Sequence, residues 1–492
     1  MSDTAQHRST GASPDDPEAR SAIDSDGGGG FRMPHIYVIL FIFTAIAAAL
    51  THVIPAGLYD RITLHNGRAA VDPATFRHVD PTPVGLEQFM MAVPRGLMDA
   101  SQVVFFTLII GGMFMVIRRT GIIDVAVDKL TRRFAGRSVL MIPVLMITFA
   151  VIATLIGTQE LALVYVPVIL PLMIALRFDS VVAVATALLA TTAGFTAGVL
   201  NPINTGLGQT IAELPLYSGF GLRALLFVCL IGAGIAYLMR YALKVRANPA
   251  ASLMAGNAAE QEKRRVYVHD LDTPALTFTP RQKWGGIATV GFFAVMVWGV
   301  LSRGWFMTEM AGLFVIMGIS VGLIAGLSAT RICEAFNEGF QDVLVGAIIV
   351  GLARAVAVML EQGQVMDTLV NGLGGLVGGL PATFSALGMF AAQLGFNFVV
   401  PSGSGQALVT MPIMAPLSDL IGVTRQSAVL AYQLGDGLSN ILYPTSGYFM
   451  ATLALAGVSW DRWVRFFLPL FGIWIAIASA FLVYAQMVDW IG

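Results

Sequence analysis

Pro401 to Gly447 reads PSGSGQALVTMPIMAPLSDLIGVTRQSAVLAYQLGDGLSNILYPTSG. The stretch is apolar enough for a membrane, yet Gly, Pro, Ser, Asn and Asp break it repeatedly. In lipid an unpaired backbone group costs several kcal/mol, so non-helical chain survives there only when buried in protein or lining a cavity. Pro401-Ser402-Gly403-Ser404-Gly405-Gln406 falls between two apolar arms too short to span singly, which predicts the tip of a re-entrant hairpin. Gly435-Asp436-Gly437-Leu438-Ser439-Asn440 interrupts the next apolar segment midway, which predicts a discontinuous helix. Together these two devices form midplane binding sites in many secondary transporters.

An earlier copy of the stretch exists. Ala162-Leu163-Val164, Pro167, Pro171 and Leu172 recur as Ala407-Leu408-Val409, Pro412, Pro416 and Leu417, each 245 positions on. Gly96 and Asp99 recur as Gly339 and Asp342, and Asp124 and Leu130 as Asp367 and Leu373, at an offset of 243. Chance similarity between apolar helices is the alternative, but a nearly constant offset over such a length favours internal duplication. Gly157-Thr158-Gln159-Glu160 then becomes the first hairpin tip, and Asn201-Pro202-Ile203-Asn204-Thr205-Gly206 the first break.

Composition sets the class. The chain is 56% hydrophobic and 12% charged, with a mean hydropathy of +0.75; soluble domains carry about 25% charge. This predicts an all-α, polytopic membrane protein. A net charge of -1 gives no basis for a nucleic-acid partner. Cys229 and Cys333 stand too far apart in apolar sequence to suggest a disulfide framework or thiolate metal site. The six histidines avoid both repeats, so neither a metal centre nor a histidine proton relay is indicated. No cofactor is expected beyond Na+ or H+ as a coupling ion.

In order, residues 1–32 read as a disordered cytoplasmic tail rather than a secretory signal. Residues 33–95 hold a first span and a polar external loop. The first inverted repeat covers 96–243, with its hairpin at about 138–176. A connector at 244–283, containing Lys263-Arg264-Arg265, is expected to lie flat or loose on the cytoplasmic side. Two linking spans occupy 284–330, and the second repeat covers 331–492 with a hairpin at about 383–422. With the N-terminus inside, 21 of 29 Lys and Arg fall in cytoplasmic segments and seven outside, Arg223 among these; Arg354 sits within a span. This obeys the positive-inside rule and makes the repeats inverted. A bacterial inner membrane is the expected location. Trp284, Trp298, Trp305, Trp460 and Trp463 lie near span ends and read as interface anchors.

Pro34-His35-Ile36-Tyr37-Val38, Ile54-Pro55-Ala56-Gly57-Leu58-Tyr59-Asp60-Arg61, the Gly111-Gly112 span, Asn201-Pro202, and Gly435-Asp436-Gly437 with Asn440 resemble the YfcC branch of the anaerobic C4-dicarboxylate carrier family. The resemblance covers nearly all of the chain after residue 32. It implies a scaffold domain, a transport domain carrying both hairpins, elevator-type movement and a homodimer. The tips here read Gly157-Thr158-Gln159-Glu160 and Ser402-Gly403-Ser404, where sodium–dicarboxylate relatives carry Ser-Asn-Thr.

The candidate site follows from those tips and breaks. Thr158, Gln159, Ser402, Ser404 and Gln406 place hydroxyls and amides beside half-helix N-termini, which favour anionic groups; capping of the second arm is the structural alternative. Asn201, Asn204, Thr205, Asn440, Thr445 and Ser446 offer oxygens at the broken spans, for substrate or for freed backbone. Glu160 and Asp436 are the acids nearest the site, able to carry a proton, ligate sodium or meet a cationic substrate. Arg354 could pair with a substrate carboxylate or with Glu361. The expectation is a secondary active transporter of a small organic ion. A carboxylate-bearing substrate is favoured, with C4-dicarboxylate ahead of arginine or ornithine on family grounds. A channel or a non-transporting sensor is the rival class, and no enzyme motif is present.

Overall fold

The computed structural model describes residues 36–491 except 64–68, 135–137, 202 and 269–275. The expected disordered tail at 1–32 lies outside the described residues. Among those described, the chain is helical apart from two short antiparallel strand pairs in the loop after the first helix, Gly57–Leu58 with Arg77–His78 and Arg61–Thr63 with Ala69–Val71. Six helices are long and apolar enough to cross a membrane.

Helix Ala329–Gln362 is the spine of one packing group: Ile36–Leu50, Ala92–Asp99 and Ser101–Arg119 pack along it, and Met307–Ala325 joins Ser101–Arg119. Helix Ser180–Ala197 centres the other. All of its residues are buried, as befits a helix apolar on every side, and it meets Met141–Ile156, Ala162–Ala175, Phe220–Ala247 and Arg425–Ser439. Gly447–Leu455 packs on the spine helix and ties the groups together.

Helices Met141–Ile156 and Ala162–Ala175 flank the first tip at 157–161, and Ala382–Asn397 and Gly403–Leu420 flank the second at 398–402. The first pair has 16 and 14 residues, hence about 24 and 21 Å at 1.5 Å per residue, short of the ~30 Å hydrocarbon core. Ser180–Ala197 is followed by a break at 198–204 and Thr205–Ile211; Arg425–Ser439 by a break at 440–446 and Gly447–Leu455. The two long helices start at N-caps Asp179 and Thr424, whose side chains accept from Val182 N (2.8 Å) and Ser427 N (3.2 Å). These caps stand one repeat offset apart.

Three expectations need correction. Gly435-Asp436-Gly437 does not break the span; it lies inside Arg425–Ser439, and the break starts at Asn440. The glycines serve close approach instead. A Cβ on Gly435 would lie 2.8 Å from Leu394 N, and one on Gly437 2.2 Å from Thr196 Oγ1. Second, Trp463 is fully buried and donates to Ile441 O (2.6 Å), while Trp460 donates to Leu442 O (3.0 Å). Both satisfy carbonyls freed by the break, and full burial removes Trp463 from an interface; Trp460 is half-buried, and Trp284 and Trp298 are exposed.

The third concerns the connector, which docks. Its helix Ala258–Tyr267 puts buried Glu260 on Ser180, accepting from the backbone N (3.1 Å) and the hydroxyl, where the helix dipole favours an anion. Lys263 donates to Ala456 O at the C-cap of Gly447–Leu455, where the dipole favours a cation. Burial lowers the Lys263 pKa, and the Glu260 charge opposes that shift.

Candidate functional site

Asp436 organises the site. It is fully buried on Arg425–Ser439, and its carboxylate accepts from Asn440 Nδ2 (3.0 Å) and Asn204 Nδ2 (3.1 Å), one amide from each break. Asn440 is held in turn: Asn397, the last residue of Ala382–Asn397, donates to Asn440 Oδ1 (2.9 Å), Ser439 Oγ (2.7 Å) and Asp436 O (3.2 Å). Asn201 Oδ1 accepts from Ile203 N (3.0 Å) and Asn204 N (2.9 Å), fixing the turn that aims Asn204.

The two halves of the chain interlock crosswise over this cluster. Gln159, from the first tip, donates to Gly437 O (2.9 Å) and accepts from Tyr448 (2.6 Å). Gln433, one turn before Asp436, donates to Phe195 O (2.7 Å) in the last turn of Ser180–Ala197. Each broken span thus has one carbonyl near its helix end met by the other half, Gly437 O by Gln159 and Phe195 O by Gln433, as non-helical chain in lipid requires its polar groups satisfied. The second tip presses closer still. A Cβ on Gly403 would lie 1.6 Å from Asn204 Nδ2 and 2.6 Å from Asp436 Oδ2, and Tyr432 donates to Gly403 O (2.6 Å).

In front of the cluster opens a cavity of about 750 Å³. Thr158, Gln159, Glu160, Asn204, Arg354, Ser402, Ser404, Asn440 and Thr445 all line it, so both tips and both breaks converge on one space. Glu160 accepts from the Thr158 hydroxyl. Ser402 is the N-cap of Gly403–Leu420, accepting from Gly405 N (3.4 Å), so its capping role holds while it faces the cavity. The chain at Gly403-Ser404 is the first helical turn, not loop. Arg354 is compensated by Glu361 (2.9 Å) and Asp99 (3.6 Å).

Five expected residues lie off the cavity lining. Gln406 instead clips the hairpin arms, donating to Gln393 O (2.9 Å) and Oε1 (2.6 Å). Asp436 and Asn201 stand behind the Asn204 amide. Thr205 and Ser446 are buried with hydroxyls that have no hydrogen-bond partner in the structure. Sequence reasoning missed Asn397, Tyr448 and Gln433. The first two abut the hairpin tip and Gly447 in the chain, and that adjacency was their only signal.

Arg223, placed in an external segment by the sequence, is fully buried in the first turn of Phe220–Ala247.

With this geometry in view, comparison with known proteins is informative. The model of the C4-dicarboxylate anaerobic carrier family matches residues 33–487. A protein of Escherichia coli (strain K12) named "Putative basic amino acid antiporter YfcC" is 32% identical over 94% of this chain and 97% of its own. An uncharacterized protein of Haemophilus influenzae is 30% identical over 92% and 97%. Among solved structures, the Alcanivorax borkumensis YdaH transporter is matched over 93% of this chain and 99% of its own at 17% identity and a TM-score of 0.41. Six spanning-length helices and a family match over nearly the whole chain make it a multi-pass membrane protein, and it belongs to the C4-dicarboxylate anaerobic carrier family of transporters.

Proposed function

We propose that the chain is a secondary active transporter whose cavity takes a small cationic amino acid of the arginine or ornithine type. The observation that carries this is the charge of the cavity. Its one base among the described residues, Arg354, already faces Asp99 and Glu361, while Glu160 at the wall and Asp436 behind it have no basic partner within ion-pair distance. An amino or guanidinium group compensates those acids. The substrate carboxylate goes to the first turn of Gly403–Leu420, where free amide N–H groups favour an anion.

This reverses the order expected from resemblance. A C4-dicarboxylate gains from the same helix N-terminus and keeps the support of the family's description, but its second carboxylate must approach Glu160 and needs co-bound cations. The E. coli relative's name agrees with the cationic reading. Asp436, with Na+ or H+, is the coupling group we favour, and exchange is the alternative mode. Elevator movement of the hairpin-bearing group against the Ala329–Gln362 group, a homodimer, and an inner-membrane location with a cytoplasmic N-terminus complete the proposal. Proteoliposomes preloaded with unlabelled arginine test it: labelled arginine should enter saturably and faster with internal arginine. Non-saturable flux indifferent to the internal amino acid would indicate a channel instead.

A further inference from the structure

Behind the break at 198–204 lies a second polar cluster that the cavity does not reach. Arg223 is fully buried, and none of its three guanidinium nitrogens has a hydrogen-bond partner in the structure. The Trp490 ring lies 5.7 Å from its guanidinium carbon. The position Gly198 Cβ would occupy marks the cluster: it is 3.3 Å from Arg223 Nη1, 2.2 Å from Thr205 Oγ1 and 3.2 Å from Gln433 Cγ. The Thr205 hydroxyl, which begins helix Thr205–Ile211, is buried and equally without a partner. So is the Nδ2 of buried Asn201, in the same break.

A guanidinium does not lose its proton in a protein, and an isolated buried charge is strongly unfavourable unless paired. Here a permanent, fully buried cation stands beside a buried hydroxyl donor, and neither has a partner. We propose that Arg223 and Thr205 form an anion site distinct from the transport cavity, taking a single monovalent anion, either a halide or one carboxylate. The site lies between the two broken spans, since Thr205 belongs to one and Gln433 to the other.

The test is melting temperature of the purified full-length protein in detergent, titrated with sodium bromide or sodium acetate against sodium isethionate at constant ionic strength. A ligand that binds only the folded state raises stability by mass action. Wild type should gain a saturable rise of a few degrees. A rise with bromide alone identifies a halide, and one with acetate identifies a carboxylate. Arg223→Gln should lose the response. Thr205→Asp, which builds a carboxylate into the cluster beside Arg223, should melt higher than wild type in isethionate and also lose it. The second variant decides the matter if the first does not fold. No saturable rise in wild type, or an undiminished rise in Thr205→Asp, overturns the proposal.

Discussion

At the scale of single residues, the account rests on what faces Asp436. Its carboxylate accepts from two amide donors and, among the described residues, has no basic partner within ion-pair distance, which is why we favour it for the coupling role. Asp436→Asn keeps the shape and removes the charge. Gradient-driven uptake should fall about tenfold or more, the equivalent of losing one hydrogen bond to a charged group, while the melting temperature changes little. Full uptake by a folded mutant would reduce Asp436 to a cap. Arg354 gives the opposite expectation: because Asp99 and Glu361 already hold it, Arg354→Lys should change substrate affinity less than Glu160→Gln does. Paired initial-rate curves measure both. These residues were partly legible beforehand. Asp436, Glu160 and Arg354 stand out as charges in apolar sequence, whereas Asn397 and Gln433 are ordinary polar residues whose roles arise only from neighbours far along the chain, Asp436 to Asn440 for the first and Phe195 for the second.

At the scale of elements, the glycines of Gly435-Asp436-Gly437 show why sequence alone misplaced the break. Gly in a helical pattern signals either a break or a close approach, and the local chemistry is the same for both. The partner decides: Ala382–Asn397 comes so near that a methyl at Gly435 meets Gln393 and Leu394. Gly435→Ala should therefore destabilise the protein by about 1–3 kcal/mol through overpacking, read as a lower melting temperature. A neutral result would mean the helices are not in contact at that point. The recurrence of motifs at offsets of 243 and 245 was legible in the sequence. The docking of the connector was not, because Glu260 and Lys263 look like any solvated charges until Ser180 and Ala456 are beside them. The loop after the first helix is tied down similarly: Asp367 accepts from Tyr59 N (2.9 Å) and Arg61 Nη2 (3.0 Å). Asp367→Ala leaves the Tyr59 amide unpaired and should cost about 1–3 kcal/mol; Arg61 is half exposed and adds little to that.

For the whole molecule, fold class and membrane character follow from composition, because lipid leaves few architectures open. Substrate sign does not, since it depends on which charges are already compensated. The convergence of both tips on one cavity also has a direct consequence. In a protein lacking Cys229 and Cys333, single cysteines at Thr158 and Ser404 should both be shielded from membrane-impermeant thiol reagents by saturating substrate. Shielding of one alone would contradict a shared site.

The sharpest measurement is competition in counterflow. Proteoliposomes loaded with arginine and taking up labelled arginine are offered ornithine, putrescine or succinate from outside. An acid-rich cavity with a helix N-terminus for one carboxylate predicts that ornithine competes strongly, putrescine weakly and succinate not at all. Strong competition by succinate with none by ornithine would contradict the account and return the site to dicarboxylates.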